Sequence, residues 1–162
     1  MKRKLLTILA CAMACMTSFA QHKQVEIYNI EADIEWAGCT AYAAIDGDLD
    51  TYWITANPDN DNRSTQFPVH LTLQFHQITH VDFVRYTPPP FSGFWTYGSW
   101  INVNVAYSTT TDGEDFISIG QFTLPGEDQP YEFILTNQGI DCRRIKFTIN
   151  KNCMDNSWSS RD

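Results

Sequence analysis

Basic residues are scarce in this chain. It carries 11 Lys and Arg against 19 Asp and Glu, and three of the basic residues, Lys2, Arg3 and Lys4, crowd the extreme N-terminus. They open a segment that runs through the apolar stretch Leu5 to Met16 and ends on Ser18-Phe19-Ala20 before Gln21, the pattern of a cleaved secretory signal peptide. Residues 1–20 are therefore expected to be a signal peptide and residues 21–162 a single domain, secreted, periplasmic or held at the cell surface. Removing Lys2, Arg3 and Lys4 takes the formal net charge from −8 to −11. Such a balance argues against nucleic acid and against an anionic membrane as partners, because both are bound by basic patches. The cluster Arg143, Arg144 and Lys146 is expected to be a solvated strand face rather than a binding stripe.

Other absences narrow the reading further. No apolar run of about 18 residues follows the leader, so the sequence offers no membrane-spanning helix. Cys11 and Cys15 lack a leucine three residues upstream, having Ile8 and Ala12 there, which speaks against lipidation. Beyond the leader stand Cys39, Cys142 and Cys153, too widely spaced for a metal motif. One disulfide and one thiol are compatible with export, in any of three pairings. His22, His70, His76 and His80 show no zinc-type pairing and read as surface imidazoles. Helical periodicity is lacking as well.

What is present is alternation. Val69, Leu71, Leu73 and Phe75 alternate with polar neighbours, as do Ile101, Val103, Val105 and Tyr107, then Tyr131, Phe133 and Leu135, then Ile145, Phe147 and Ile149. These are half-buried strands. Turn signals separate them at Pro88-Pro89-Pro90, Thr111-Asp112-Gly113, Pro125-Gly126 and Asn137-Gln138-Gly139. The pattern predicts an all-β fold, an antiparallel β-sandwich or jelly roll. The polar stretch Asn57 to Thr65 reads as a surface loop, with a sequon at Asn62-Arg63-Ser64.

Two stretches carry candidate chemistry. The first, Ala43-Ala44-Ile45-Asp46-Gly47-Asp48-Leu49-Asp50-Thr51-Tyr52-Trp53, combines aspartates with a glycine. It reads either as an ion loop or as an Asp-Gly turn whose carboxylates bond neighbouring amides. A catalytic pair is disfavoured, since nothing marks an opposed carboxylate. The second is Pro88 to Trp100, holding Phe91, Phe94, Trp95, Tyr97 and Trp100. Rings on a polar-rimmed loop stack on pyranose faces or centre a protein contact; the alternative is that they pack inward and cap the sandwich. Trp53 is expected to be core packing. Trp100 is expected to be core too, although strict alternation sets it opposite Ile101, Val103 and Val105, so its burial needs a bulge or a covering loop. Trp158 receives no assignment.

The order of features resembles the F5/8 type C, or discoidin-like, family, which includes the family 32 carbohydrate-binding modules. The resemblance rests on Ala44-Ile45-Asp46-Gly47-Asp48 with Thr51 and Trp53, on Phe67-Pro68-Val69-His70-Leu71-Thr72-Leu73, and on Val81-Asp82-Phe83-Val84-Arg85-Tyr86-Thr87-Pro88. It continues through Val103 to Ser108, Thr111 to Phe116 and Arg144-Ile145-Lys146-Phe147, and so covers about residues 40 to 150. It implies a structural calcium held by the Asp46 carboxylate, an Asp48 carbonyl, Thr51 through hydroxyl and carbonyl, and a carbonyl of Ala43 or Ala44, with Gly47 allowing the bend. The family's closing strand, with a glutamate that completes the ion's shell, has no counterpart in Asn156-Ser157-Trp158-Ser159-Ser160-Arg161-Asp162, so the closing strand is either missing or divergent. At the positions of the family's galactose-binding His, Arg and Asn stand Ile54, Pro89 and Tyr97.

Resemblance, signal peptide and aromatic loop together lead to the expectation of a secreted, non-catalytic carbohydrate-binding module whose partner is a glycan or glycoprotein, with Phe91, Phe94, Trp95 and Tyr97 of that loop as ligand-binding residues and no catalytic residues. Two other readings stay open: an adhesion module with a protein partner, and a fragment of a larger glycan- or mucin-degrading enzyme.

Overall fold

In the computed structural model, which describes residues 23–35, 38–53, 67–88, 100–125 and 129–152, the period-two pattern becomes strands. In chain order they are β1 (Asn29–Ala32), β2 (Val69–Val81), β3 (Phe83–Tyr86), β4 (Trp100–Ser108), β5 (Ile117–Thr123), β6 (Tyr131–Ile134) and β7 (Ile140–Asn152), with a single 3-10 turn at Ala41–Ala44. All pair antiparallel. Five form one sheet in the order β1-β2-β7-β4-β5, and β3 and β6 form a second. The fold is the expected antiparallel β-sandwich.

Register aligns the apolar faces. On β7, Ile145 and Phe147 stand opposite Leu73 and Leu71 of β2, while Phe147 and Ile149 stand opposite Val105 and Val103 of β4. All these side chains are buried, and Phe133 and Leu135 close the core from the other layer. Buried apolar surface contributes roughly 25 cal/mol per Å², so this seam, fed by four strands, is the main source of cohesion. Asp82 turns the chain from β2 into β3, its carbonyl accepting the Leu135 amide at 3.2 Å.

Three expectations change. Strand β2 does not stop near Phe75 but runs on to Val81 through a register irregularity between Gln74 and Thr79, so His76 and His80 both lie on a strand. Arg144 is not part of a solvated face: it is 7% exposed. It lies beneath the β4–β5 connection, where its guanidinium donates to the carbonyls of Thr110, Asp112 and Gly113 and pairs with Asp115 at 3.1 Å. Lys146, on the same face, pairs with Glu114 at 2.9 Å. Cys39 and Cys142 are free thiols, so they are not paired with each other; Cys153 lies outside the described residues. Burial, with the charge of Asp141 adding to it, pushes the Cys142 thiol up to about 12. The described imidazoles lie at the surface as expected, and two of them have acidic partners: His70 pairs with Asp33, and His80 lies 2.8 Å from Asp141 and 3.5 Å from Asp82.

The expected signal peptide 1–20, His22, the Asn57–Thr65 loop with its sequon, and the closing-strand question at residues 153–162, Trp158 included, fall outside the described residues.

Candidate functional site

The acidic loop begins where β1 ends. Residues 33–35 are fixed to β2 by a reciprocal pair: the Asp33 amide donates to the His70 carbonyl at 3.2 Å and the His70 amide to the Asp33 carboxylate at 3.0 Å. From there the chain enters the 3-10 turn Ala41–Ala44, whose first residue is fully buried. Gly47 then adopts φ +80, a left-handed conformation that costs a glycine little and other residues more. The bend returns the chain toward its start.

The return brings the four expected residues together. The Thr51 hydroxyl oxygen lies 2.7 Å from Asp46 Oδ2, 3.0 Å from the Asp48 carbonyl and 3.4 Å from the Ala43 carbonyl. A threonine hydroxyl has one proton to donate, so two of these three acceptors face Oγ1 without receiving it. Oxygens that share an ion at 2.3–2.6 Å stand about 3 Å apart, and this set fits that spacing. The fit also agrees with donor chemistry, since carboxylate, carbonyl and hydroxyl oxygens suit a hard cation. Asp46 is held below its ordinary value first by the Thr51 hydroxyl and then by the Asp48 amide. Asp48 Oδ1 meanwhile accepts the Asp50 amide at 2.9 Å, the bond expected of an Asp-Gly turn. Asp46 Oδ1 accepts the Asp48 amide at 2.9 Å in the same way, so the turn pattern foreseen for this stretch is present on both carboxylates. Among the described residues no three His, Cys, Asp or Glu side chains gather as a metal-holding group, so any ion here would depend on main-chain and hydroxyl oxygens.

Beside the loop lies an aromatic column. Trp53 donates its indole N–H to the Ile34 carbonyl at 2.9 Å and meets Trp100 edge-on at 6.4 Å. Trp100 stacks on Tyr86 at 4.4 Å and 14°, donates its amide to the Tyr86 hydroxyl at 3.3 Å, and leans on Phe133 and Phe147. Register shifts between Trp100, Asn102 and Val103 against β7 supply the bulge that an inward Trp100 requires. Trp53 and Trp100 are both packed against the core, as expected.

Tyr86 and Trp100 are the roots of the 87–99 connection. Phe91, Phe94, Trp95 and Tyr97 lie outside the described residues, as do Ile54 and Pro89. Glu35 was not singled out in the sequence, yet it accepts the Ala41 amide at 2.8 Å. No local pattern marks it, because a carboxylate six residues ahead of a turn matches no capping motif.

The antiparallel sandwich is that of a discoidin-like domain. The chain belongs to the F5/8 type C domain family, whose model matches residues 26–162. No curated protein matches it. Among solved structures it is similar to the family 32 module of Clostridium perfringens NanJ in complex with galactose, at 19% identity and TM-score 0.64, covering 77% of this chain and 83% of that one. It is also similar to the two family 32 modules of C. perfringens ZmpB in complex with GalNAc, at 25% identity and TM-score 0.63, over 77% of this chain but 30% of that one. A third C. perfringens family 32 module, in complex with GalNAc-β-1,3-galactose, matches at 18% identity and TM-score 0.64, over 77% of this chain and 85% of that one.

Proposed function

We propose that the chain is a secreted, non-catalytic carbohydrate-binding module that grips a glycan or glycoprotein with Phe91, Phe94, Trp95 and Tyr97, and that the 43–51 loop holds a structural calcium. The observation that carries the glycan reading is the Tyr86–Trp100 stack. It fastens both roots of a four-aromatic connection to one place on the sandwich, in a fold whose solved neighbours bind galactose and GalNAc. A fixed root lowers the ordering cost of presenting rings to a sugar, and rings stack on pyranose C–H faces.

The calcium reading is supported by the acceptors gathered on Thr51. Asp46 would give its carboxylate, Asp48 and Ala43 their carbonyls, and Thr51 its hydroxyl. The ion would supply positive charge that lets these oxygens converge without repulsion, and so hold the loop beside Trp53.

A glycan array with the wild type and Trp95→Ala tests the main claim. Binding to defined sugars is expected for the wild type and its loss for the variant, with the melting temperature unchanged because an exposed ring contributes little to a core. A second reading, contact with a protein, is favoured by Tyr42 and Leu49, which stand 61% and 72% exposed on the ion loop; such apolar surface suits a partner. Silence on the array with capture of a defined host protein would support it. Attachment to a larger glycan- or mucin-degrading enzyme is compatible with either reading, since a ZmpB structure of which the chain covers 13% holds family 32 modules together with an M60 catalytic domain.

A further inference from the structure

The two ends of the ion loop are tied to one dipeptide. Glu35 accepts the Ala41 amide at 2.8 Å and the neighbouring Ile34 carbonyl accepts the Trp53 indole N–H at 2.9 Å. Ala41 is fully buried, and Thr40, which precedes the turn, makes no side-chain cap. Glu35 therefore supplies the cap from outside the turn, satisfying an amide that would otherwise be buried without an acceptor. Ala41 opens the turn that carries the Ala43 carbonyl, and Trp53 lies two residues past Thr51. The dipeptide itself cannot drift, because Asp33 is locked to His70 on β2.

We propose that Glu35 and the Ile34 carbonyl are positioning groups that set the calcium affinity of the 43–51 loop by fixing its two ends, without touching the ion. The inference rests on the calcium reading above. Ligand oxygens on a loop bind a hard cation tightly only when held near their bound separation, since ordering them at binding subtracts from affinity. Glu35 limits where the Ala43 carbonyl can go, and the Trp53–Ile34 bond does the same for Thr51.

The test is calcium titration calorimetry of the purified domain at about 0.15 M ionic strength, where screening limits remote charge effects to about 8 Å, together with thermal melts in chelator. Glu35→Ala is expected to weaken calcium binding about tenfold. Glu35→Gln retains an oxygen acceptor and should stay within about threefold of the wild type. Trp53→Phe keeps an aromatic ring but removes the donor together with part of the indole, and should weaken binding severalfold, the melt in chelator reporting the lost packing separately. If Glu35→Ala does not fold, the Gln and Phe variants decide the matter. Equal affinity in wild type, Glu35→Ala and Trp53→Phe, with lowered melting temperatures alone, would reduce both groups to structural ties and overturn the proposal. So would a loss in Glu35→Gln as large as in Glu35→Ala, which would mean charge or direct ligation. A wild type that takes up no calcium fails the underlying reading instead, a result recognisable because Asp46→Ala then changes nothing.

Discussion

Arg144 illustrates how far one side chain can depart from its local pattern. It follows Arg143 and precedes Lys146 by two, and a run of cations on a strand normally faces water. Here the guanidinium gathers the carbonyls of Thr110, Asp112 and Gly113 and the hydroxyls of Ser108 and Thr110, and Phe116 covers it at 4.5 Å. A planar fork with five donors can do this and an ammonium cannot. Arg144→Ala should therefore cost about 1.5 to 3 kcal/mol, the scale of hydrogen bonds to a charged group. Arg144→Lys should recover less than half, as measured by urea unfolding. The exposed Asp115 carboxylate can return to water, which keeps the loss below that of a fully buried pair. The sequence could not announce this role, because the acceptors come from a turn about 30 positions away.

At the scale of elements, the strands were legible and their exceptions were not. Periodicity placed β4, β6 and the Ile145–Ile149 part of β7 on the correct faces, because each has one wet and one dry side. It did not find β1, in which Ile30 is the one buried side chain and no apolar alternation can be read. Nor could it supply the register shifts that turn Trp100 inward, since a bulge depends on the partner strand. Trp100→Ala should destabilise the domain by about 3 kcal/mol through lost contacts and a residual cavity, in contrast to the unchanged melting expected of Trp95→Ala; chemical denaturation of both variants checks the pair.

A second element-level device sits where β2 ends and β7 begins. His80 is held by Asp141 first and also faces Asp82, which raises its pKa above the ordinary 6.5. A raised folded-state pKa stabilises the fold while the imidazole is charged in both states, and this contribution is lost as pH rises through the folded value. Melting temperature should therefore fall as pH rises above about 6.5 and through the raised folded-state value, by an amount that His80→Gln removes. The exposure of all three side chains keeps the effect small, and added salt should shrink it. Gly139 matters here, for at φ +68 a Cβ would approach His80 Nε2 to 2.6 Å.

For the molecule as a whole, ion binding and stability should be linked. An extracellular-type site with a dissociation constant of about 10⁻⁴ to 10⁻³ M would add about 1.4 to 2.7 kcal/mol at about 10 mM calcium. For a domain of this size that is a rise of roughly 3 to 11 °C. Asp46→Ala should abolish the rise without removing the fold, and a wild-type melting temperature equal in chelator and in calcium would refute the ion site. Much of the candidate site could be read from the order Asp46, Gly47, Asp48 and Thr51, since ligands close in sequence are brought together by local bends. The ties at Ile34 and Glu35 could not, because they come from across a turn with no motif to mark them.

Strand β7 occupies the middle of the five-stranded sheet, bonded to β2 on one side and β4 on the other, yet it is the last of the described strands to leave the ribosome. Until residues 140–152 emerge, β2 and β4 have no backbone partner along the edges they will later share with it, and nothing bridges them. Assembly of the sheet therefore waits on contacts distant in sequence, which places this domain among slow folders. Cohesion therefore arrives in one late step, when the last of these strands inserts between two partners that have waited for it.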